Sequence, residues 1–271
     1  MAYADYNAYK NSTIQSAQRS DTGFRTFNAA GGNQAGRLLD MFTYAYPDVD
    51  TPTVPEVPTQ ALIGALPLAN AGTGRLVVNS INASGFVPGM HILCDRLSHQ
   101  GNLSGTLNTT QTTNLPTAAL TRYTDGQGVM ALVTIWSQIG TTATTYTINY
   151  TNQAGIAGQT SVALDVSGSY EKRWFGRAFV TPLASGDTGV RSVESFKLAA
   201  STGGGTFGIS LIKPLLFMQV TQRGNTNQAD FMTNNLHGGL PEILDDAFLF
   251  WLSIPGPGTT AATGQVNFSE V

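Results

Sequence analysis

VMALVTIWSQIGTTATTYTINY, residues 129 to 150, decides the fold. In its first half Val129, Ala131, Val133, Ile135 and Ser137 alternate with Met130, Leu132, Thr134, Trp136 and Gln138, and in its second Tyr146, Ile148 and Tyr150 fall two apart. A period of two is the side-chain period of a β-strand, so each set shares one face. The segment therefore reads as two strands joined by a turn rich in Gly and Thr.

The same pattern of short β-type runs and turn residues extends in both directions. Runs of this kind lie at 75–82, 89–97, 161–166, 174–181, 190–199, 207–220, 247–254 and 264–271. Pro214 inside FGISLIKPLLFMQV has no N–H for a ladder, which predicts an edge strand or two strands joined at a bend. Helical signals are few. LPEILDD at 240–246 has proline and then an acidic residue where a first turn accepts them, QADFMTNNLHGG at 228–239 has a glycine stop, and a weak helical pattern surrounds Arg37, Leu38, Leu39, Met41 and Phe42. About eight to ten strands with long irregular connections predict an all-β protein, a jelly-roll-like β-sandwich over residues 59–271.

Residues 1–58 read as an extended N-terminal arm. It ends in PDVDTPTVPEVP, where Pro52, Pro55 and Pro58 fall three apart and form one ridge of a polyproline II strut. Such a strut serves either as a plain linker or as a strap that lies on a neighbouring subunit.

Composition limits the functions open to this fold. Charged residues are 11% of the 271 residues, less than half the usual quarter, and Thr, Ser, Asn, Gln and 30 glycines take their place. A net charge of −3 provides no basic footprint, so a direct nucleic-acid partner is not expected. No apolar run approaches the roughly 20 residues of a membrane-spanning helix, and no secretory signal is visible at the start, which predicts a chain with no membrane partner that is made in a cytoplasm and stays soluble, or leaves by a route that needs no signal. A surface this poor in charge suits a protein whose surface is covered in an assembly.

Catalytic and metal-binding patterns are weak. Cys94 is the single cysteine, and His91 and Cys94 point to opposite faces of a strand, so the set His91, Cys94 and His99 does not converge on a metal. No G-x-S-x-G elbow is present, STGGGTFG at 201–208 lacks the Lys-Ser/Thr ending of a phosphate loop, and Asp245 and Asp246 diverge on any short helix. The reading is a non-enzyme with no cofactor and no metal. Residues 97–128 contain only two ionic side chains, Arg122 and Asp125, in a run of Thr, Asn, Ser and Gln. As a loop of about 30 residues the run exceeds what compact domains leave unstructured without a function. It suits either contact with another protein surface or an excursion folded over its own sandwich. The expected contact residues are Pro52, Pro55 and Pro58 on the strut with His99, Asn102, Arg122 and Tyr123 on the loop.

The segment LCDRLSHQGNLSGTLNTTQTTNLPTAALTRYTDGQGVMALVTIWSQIGTTATTYTINYTNQAGIAGQT, residues 93–160, resembles virion structural proteins of tailed bacteriophages, most closely capsid decoration or cement proteins. Its distinctive strings are LSHQG, NLPTAALTRY, IGTT and YTNQAG. The resemblance implies synthesis in a host cytoplasm, a place on the outer capsid surface of the virion, a homotrimeric state, and the major capsid protein as partner, with neighbouring capsomers bridged by each trimer. It implies no catalytic residue. Two alternatives share this composition: a tail, neck or fibre component, and a carbohydrate-binding β-sandwich that would need exposed aromatics such as Trp136 or Tyr123.

Overall fold

The computed structural model describes residues 19–21, 36–44, 52–66, 68, 70–71, 74–84, 88–113, 115, 120–166, 173–222, 227–230, 242–255 and 263–270. Its strands in chain order begin with β1 (Arg19–Asp21), β2 (Leu39–Asp40), β3 (Leu76–Ser84), β4 (Gly89–Ser104), β5 (Gln111–Thr112), β6 (Met130–Ser137), β7 (Thr145–Asn152) and β8 (Gln159–Thr160). They continue with β9 (Leu164–Asp165), β10 (Ala178–Val180), β11 (Val190–Leu198), β12 (Thr206–Val220), β13 (Asn227–Asp230), β14 (Glu242–Ile243), β15 (Leu249–Pro255) and β16 (Thr263–Glu270). The only helical piece among the described residues is a single 3₁₀ turn, Met41–Tyr44.

Six strands in the order β10-β6-β12-β4-β15-β2 form the central sheet, every pair antiparallel. This sheet closes on itself. Beyond β2, Asp40 N donates to Gly176 O at 2.9 Å, Ala178 N donates to Leu38 O at 3.0 Å, and Leu39 bridges Arg177. The other edge of the same segment bonds to β6 through Ile135 N to Arg177 O and Gly176 N to Ile135 O. Residues 36–44 therefore supply the stave that joins the two open edges of a barrel and removes them from solvent.

Alternation along each stave now separates an inside from an outside. Cys94, Leu132, Trp136, Ala178, Ile212, Phe250 and Leu252 point inward, with Phe42 and Phe248 packed among them. Ala131, Val133, Ile135, Phe207, Ile209 and Leu211 point outward and meet Tyr146, Ile148, Tyr150, Val193 and Phe196 of an outer sheet ordered β5-β11-β7-β8, with β9 also on β7. At the other end Leu93, Leu216, Met218, Leu249 and Trp251 meet Val78, Ile81, Val266 and Phe268 of a second outer sheet ordered β1-β16-β3-β13, with β14 on β3. At about 3.3 Å per residue the 16 residues of β4 and 15 of β12 run roughly 50 Å, far enough to reach beneath both outer sheets. The molecule is an all-β sandwich in which two sheets pack face to face on one curled central sheet.

Several sequence expectations need correction. β12 is one continuous strand through Pro214: its pairing with β6 ends at Ile212, so position 214 has a strand on one side only, and a register shift follows it. The run 161–166 is not one strand; β8 and β9 are two short contacts on β7. The helix expected at 240–246 is replaced at Glu242–Ile243 by pairing with Val77 and Leu76. In the second expected helix Asn227–Asp230 pair with β3, and residues 231–239 lie outside the described residues. Within the expected arm, Leu39, Met41 and Phe42 are buried in the core, and Pro52 and Glu56 bond to the backbone of β4. Residues 1–18, 22–35 and 45–51 of that arm lie outside the described residues.

Candidate functional site

The expected contact residues converge, although they come from three distant parts of the sequence. β15 pairs with β4 over Gly89–Asp95 and Arg96 N donates to Phe248 O just beyond, so the same edge of β4 is open from residue 97 onward. The strut occupies it. Glu56 N donates to His99 O at 3.1 Å, His99 N donates to Glu56 O at 3.0 Å, and Gly101 N donates to Pro52 O at 2.5 Å. Proline suits this edge because it lacks an N–H that would otherwise be left facing solvent. The proline ridge thus lies on the chain's own barrel. Pro52 and Pro58 are buried there, while Pro55 is half-buried and Val54 beside it is 62% exposed.

Side chains lock the strut in place. His99 Nε2 donates to Glu56 Oε1 at 2.5 Å, and burial, helped by the nearby Arg96 cation, lowers His99 to about 2. The imidazole is therefore neutral, and its bond to Glu56 is a hydrogen bond and not an ion pair. Arg122 forms a fork on Asp95, Nε to Oδ2 at 2.8 Å and Nη2 to Oδ1 at 3.0 Å, and the same Nη2 reaches Pro58 O at 3.2 Å. Tyr123 follows with a φ of 51° and Lys213 Nζ 5.4 Å from its ring centre; burial raises its hydroxyl above the usual range. His99 and Arg122 were expected on a contact surface, but both are buried, spent on holding the chain's own segments. Asn102 does reach solvent, at a register shift of β4 with a φ of 59°, which asparagine tolerates.

Inside the barrel a second ionic pair holds the closing stave. Arg96 and Asp40 are both fully buried; Nη2 meets Oδ2 at 2.5 Å, and Nη1 donates to Ser210 Oγ at 2.6 Å. Thr134 Oγ1 and Phe42 N also donate to the Asp40 carboxylate, at 3.0 and 3.1 Å. The guanidinium is sandwiched between the rings of Phe42 and Phe250, each centred 4.4 Å from Cζ. Sequence reasoning missed Arg96 and Asp40. An Arg at an alternating core position of a strand was the available signal.

The stretch 97–128 is not one long loop. Leu97–Ser104 belongs to β4, Leu115 and Leu120 are buried under the outer sheet, and Thr113 is fixed by Val193 O and Glu194 O. Its longest exposed run is the tip Thr106, Leu107, Asn108, Thr109 and Thr110, with Leu107 at 48%, and Asn102, Thr112, Thr121, Thr124, Asp125, Gln127 and Gly128 are exposed as well. The tip is uncharged.

The histidines and the cysteine among the described residues are enclosed. The Ser253 hydroxyl lies 3.0 Å from His91 Nδ1, but both residues are buried under the second outer sheet, so no substrate reaches them. Cys94 faces the barrel interior, and burial pushes its thiol well up. Among the described residues no three His, Cys, Asp or Glu side chains cluster as a metal site would require. Trp136 is buried inside the barrel against Phe42 and Phe175, so its ring offers no exposed face for sugar stacking, and Tyr123 is half-buried against the core beneath the first outer sheet with its hydroxyl enclosed.

No family model matches the chain, and no curated protein matches it. Among solved structures it is similar to the infectious bursal disease virus VP2 subviral particle, at 10% identity over 94% of this chain and 81% of that chain, with a TM-score of 0.19. A structure of the infectious bursal disease virus Gt strain gives 9% identity over the same shares, with a TM-score of 0.16.

Proposed function

We propose that this chain is a non-enzymatic virion structural protein that decorates and cements an assembled phage capsid, bridging neighbouring capsomers as a trimer. The observation that carries the reading is the convergence of the strut and the polar stretch on one side of the barrel. There Val54, Asn102 and the tip 106–110 present uncharged, exposed side chains from a rigidly anchored edge. Short polar side chains cost less to desolvate than charges do, so such an edge suits burial against another protein. The resemblance of residues 93–160 to phage decoration proteins is what supports taking the major capsid protein as that partner and the outer capsid surface as the place.

A subunit that binds only the assembled, expanded shell stabilises that state by mass action, and a trimer gripping several capsomers gains effective concentration at each further contact. Cosedimentation with expanded heads lacking the protein tests this reading. Wild-type protein should pellet with heads, and Leu107→Asp or Val54→Asp should reduce the bound fraction with the melting temperature unchanged. Equal binding by both variants would remove this edge from the interface.

A further inference from the structure

Of the nine large apolar side chains exposed among the described residues, four share one face at one end of the central sheet: Met90, Met130, Val180 and Phe217. Directly opposed residues of an antiparallel pair point the same way. Val180 lies opposite Leu132, Met130 opposite Ile212 and Phe217 opposite Ile92, and each of those partners faces the barrel interior. Met90 is two residues from Ile92 on β4 and lies opposite Ile254. Pro214, opposite Cys94, falls on β12 between the partner of Met130 and Phe217. These side chains form an oblique strip where β10 and β6 stop and β12, β4 and β15 run on to Val220, Gly89 and Pro255.

The two faces of these long strands are treated differently. On the outward face Leu93, Leu216 and Met218 pack under the second outer sheet. On the inward face Phe42, Trp136, Phe248 and Phe250 fill the barrel below the strip, so the strip is a floored surface and not a well for a small molecule. Phe217 is 59% exposed. With the other three it presents on the order of 300 Å² of apolar side chain, an area that marks a contact surface on a soluble chain.

That area matches the apolar core of an interface of about 800 Å² per partner whose remainder is a polar rim. Gln219, exposed on the same face opposite Met90, begins such a rim. Every position of the strip is uncharged. Copies of the chain can therefore meet there without like-charge repulsion, and a charged partner finds no counter-charge. Surfaces of permanent self-association are also the more apolar ones. We propose, resting on the trimer reading above, that copies of this chain meet through the strip, with Phe217 as the anchor. Self-association and shell contact then lie at opposite ends of β4, since Asn102 and the tip 106–110 follow its far end.

Sedimentation velocity of the full chain over a range of concentrations, with Phe217→Lys and Met90→Lys alongside, tests the surface. The wild type should sediment as a trimer. Either lysine variant should keep the far-ultraviolet circular dichroism of the wild type and associate at least about thirtyfold more weakly. Val180→Lys, on another stave of the strip, carries the test if either variant loses its β-sheet signal. A trimer retained by the folded variants overturns the proposal and leaves the trimer itself standing. A closed oligomer of another size, lost in the variants, supports the surface and corrects the number of copies. A monomeric wild type overturns both. Anilinonaphthalene sulfonate binding that Phe217→Lys removes would then show a bare strip that takes a different partner, and absence of such binding a strip covered by the chain's own residues.

Discussion

Replacing Asp40 with alanine should be among the most damaging single substitutions in this chain. The carboxylate accepts from Arg96 Nη2, Thr134 Oγ1 and Phe42 N inside a barrel where both Asp40 and Arg96 have no solvent contact. Its removal leaves the Arg96 cation with Ser210 and two aromatic faces but no counter-charge. Breaking a buried pair by removing one partner costs about 3–5 kcal/mol, a large part of a total stability of roughly 5–15 kcal/mol. At about 2–4 °C per kcal/mol the melting temperature should fall by roughly 10 °C. Arg96→Met in the Asp40→Ala background removes the stranded charge and should recover much of the loss. Urea unfolding of the two single variants and the double variant measures the coupling, expected at about 2 kcal/mol or more. A loss below about 1 kcal/mol for Asp40→Ala, or a double variant equal to the sum of the singles, would refute the view that this pair holds the barrel closed.

Other outcomes follow from the same geometry. His99 is lowered to about 2 in the folded chain against about 6.5 when unfolded, so its neutral burial contributes stability that is complete above pH 6.5 and is lost as pH falls below it. The loss should approach about 1.4 kcal/mol per pH unit, and His99→Gln should flatten that slope in urea titrations between pH 6.5 and 4.5. Cys94 should not react with a thiol reagent in native buffer and should react once in urea, because it faces the barrel interior with its thiol pushed up by burial. Gly189→Ala should cost about 1–3 kcal/mol in urea unfolding, since a Cβ at 189 would lie 1.9 Å from Gly126 O, a backbone atom that cannot swing away.

The staves of the barrel were legible because their alternation is strong: the two faces read from residues 129 to 138 are the outward and inward faces of β6. Closure was not legible. It depends on Leu38, Leu39 and Asp40 meeting residues 176 to 178, a pairing of short segments far apart in sequence whose local pattern looked helical. The strut was recognised as extended, but nothing in three evenly spaced prolines says which edge they cover; the open half of β4 decides that. Arg122 and His99 drew notice as polar residues in a polar run, and the structure turns them inward because Asp95 and Glu56 arrive from other segments. The Glu242–Ile243 segment became a strand for a similar reason: β16 pairs one edge of β3 at Leu76 and Val77, β13 does not reach the other, and that open edge outweighs a local helix signal.

Calorimetry of expanded phage heads lacking this protein, with and without the purified chain, tests the central claim most directly. The account predicts that the chain, with the native mass of a trimer, binds the heads saturably and raises their disruption temperature. A monomer that leaves the disruption temperature unchanged would contradict it.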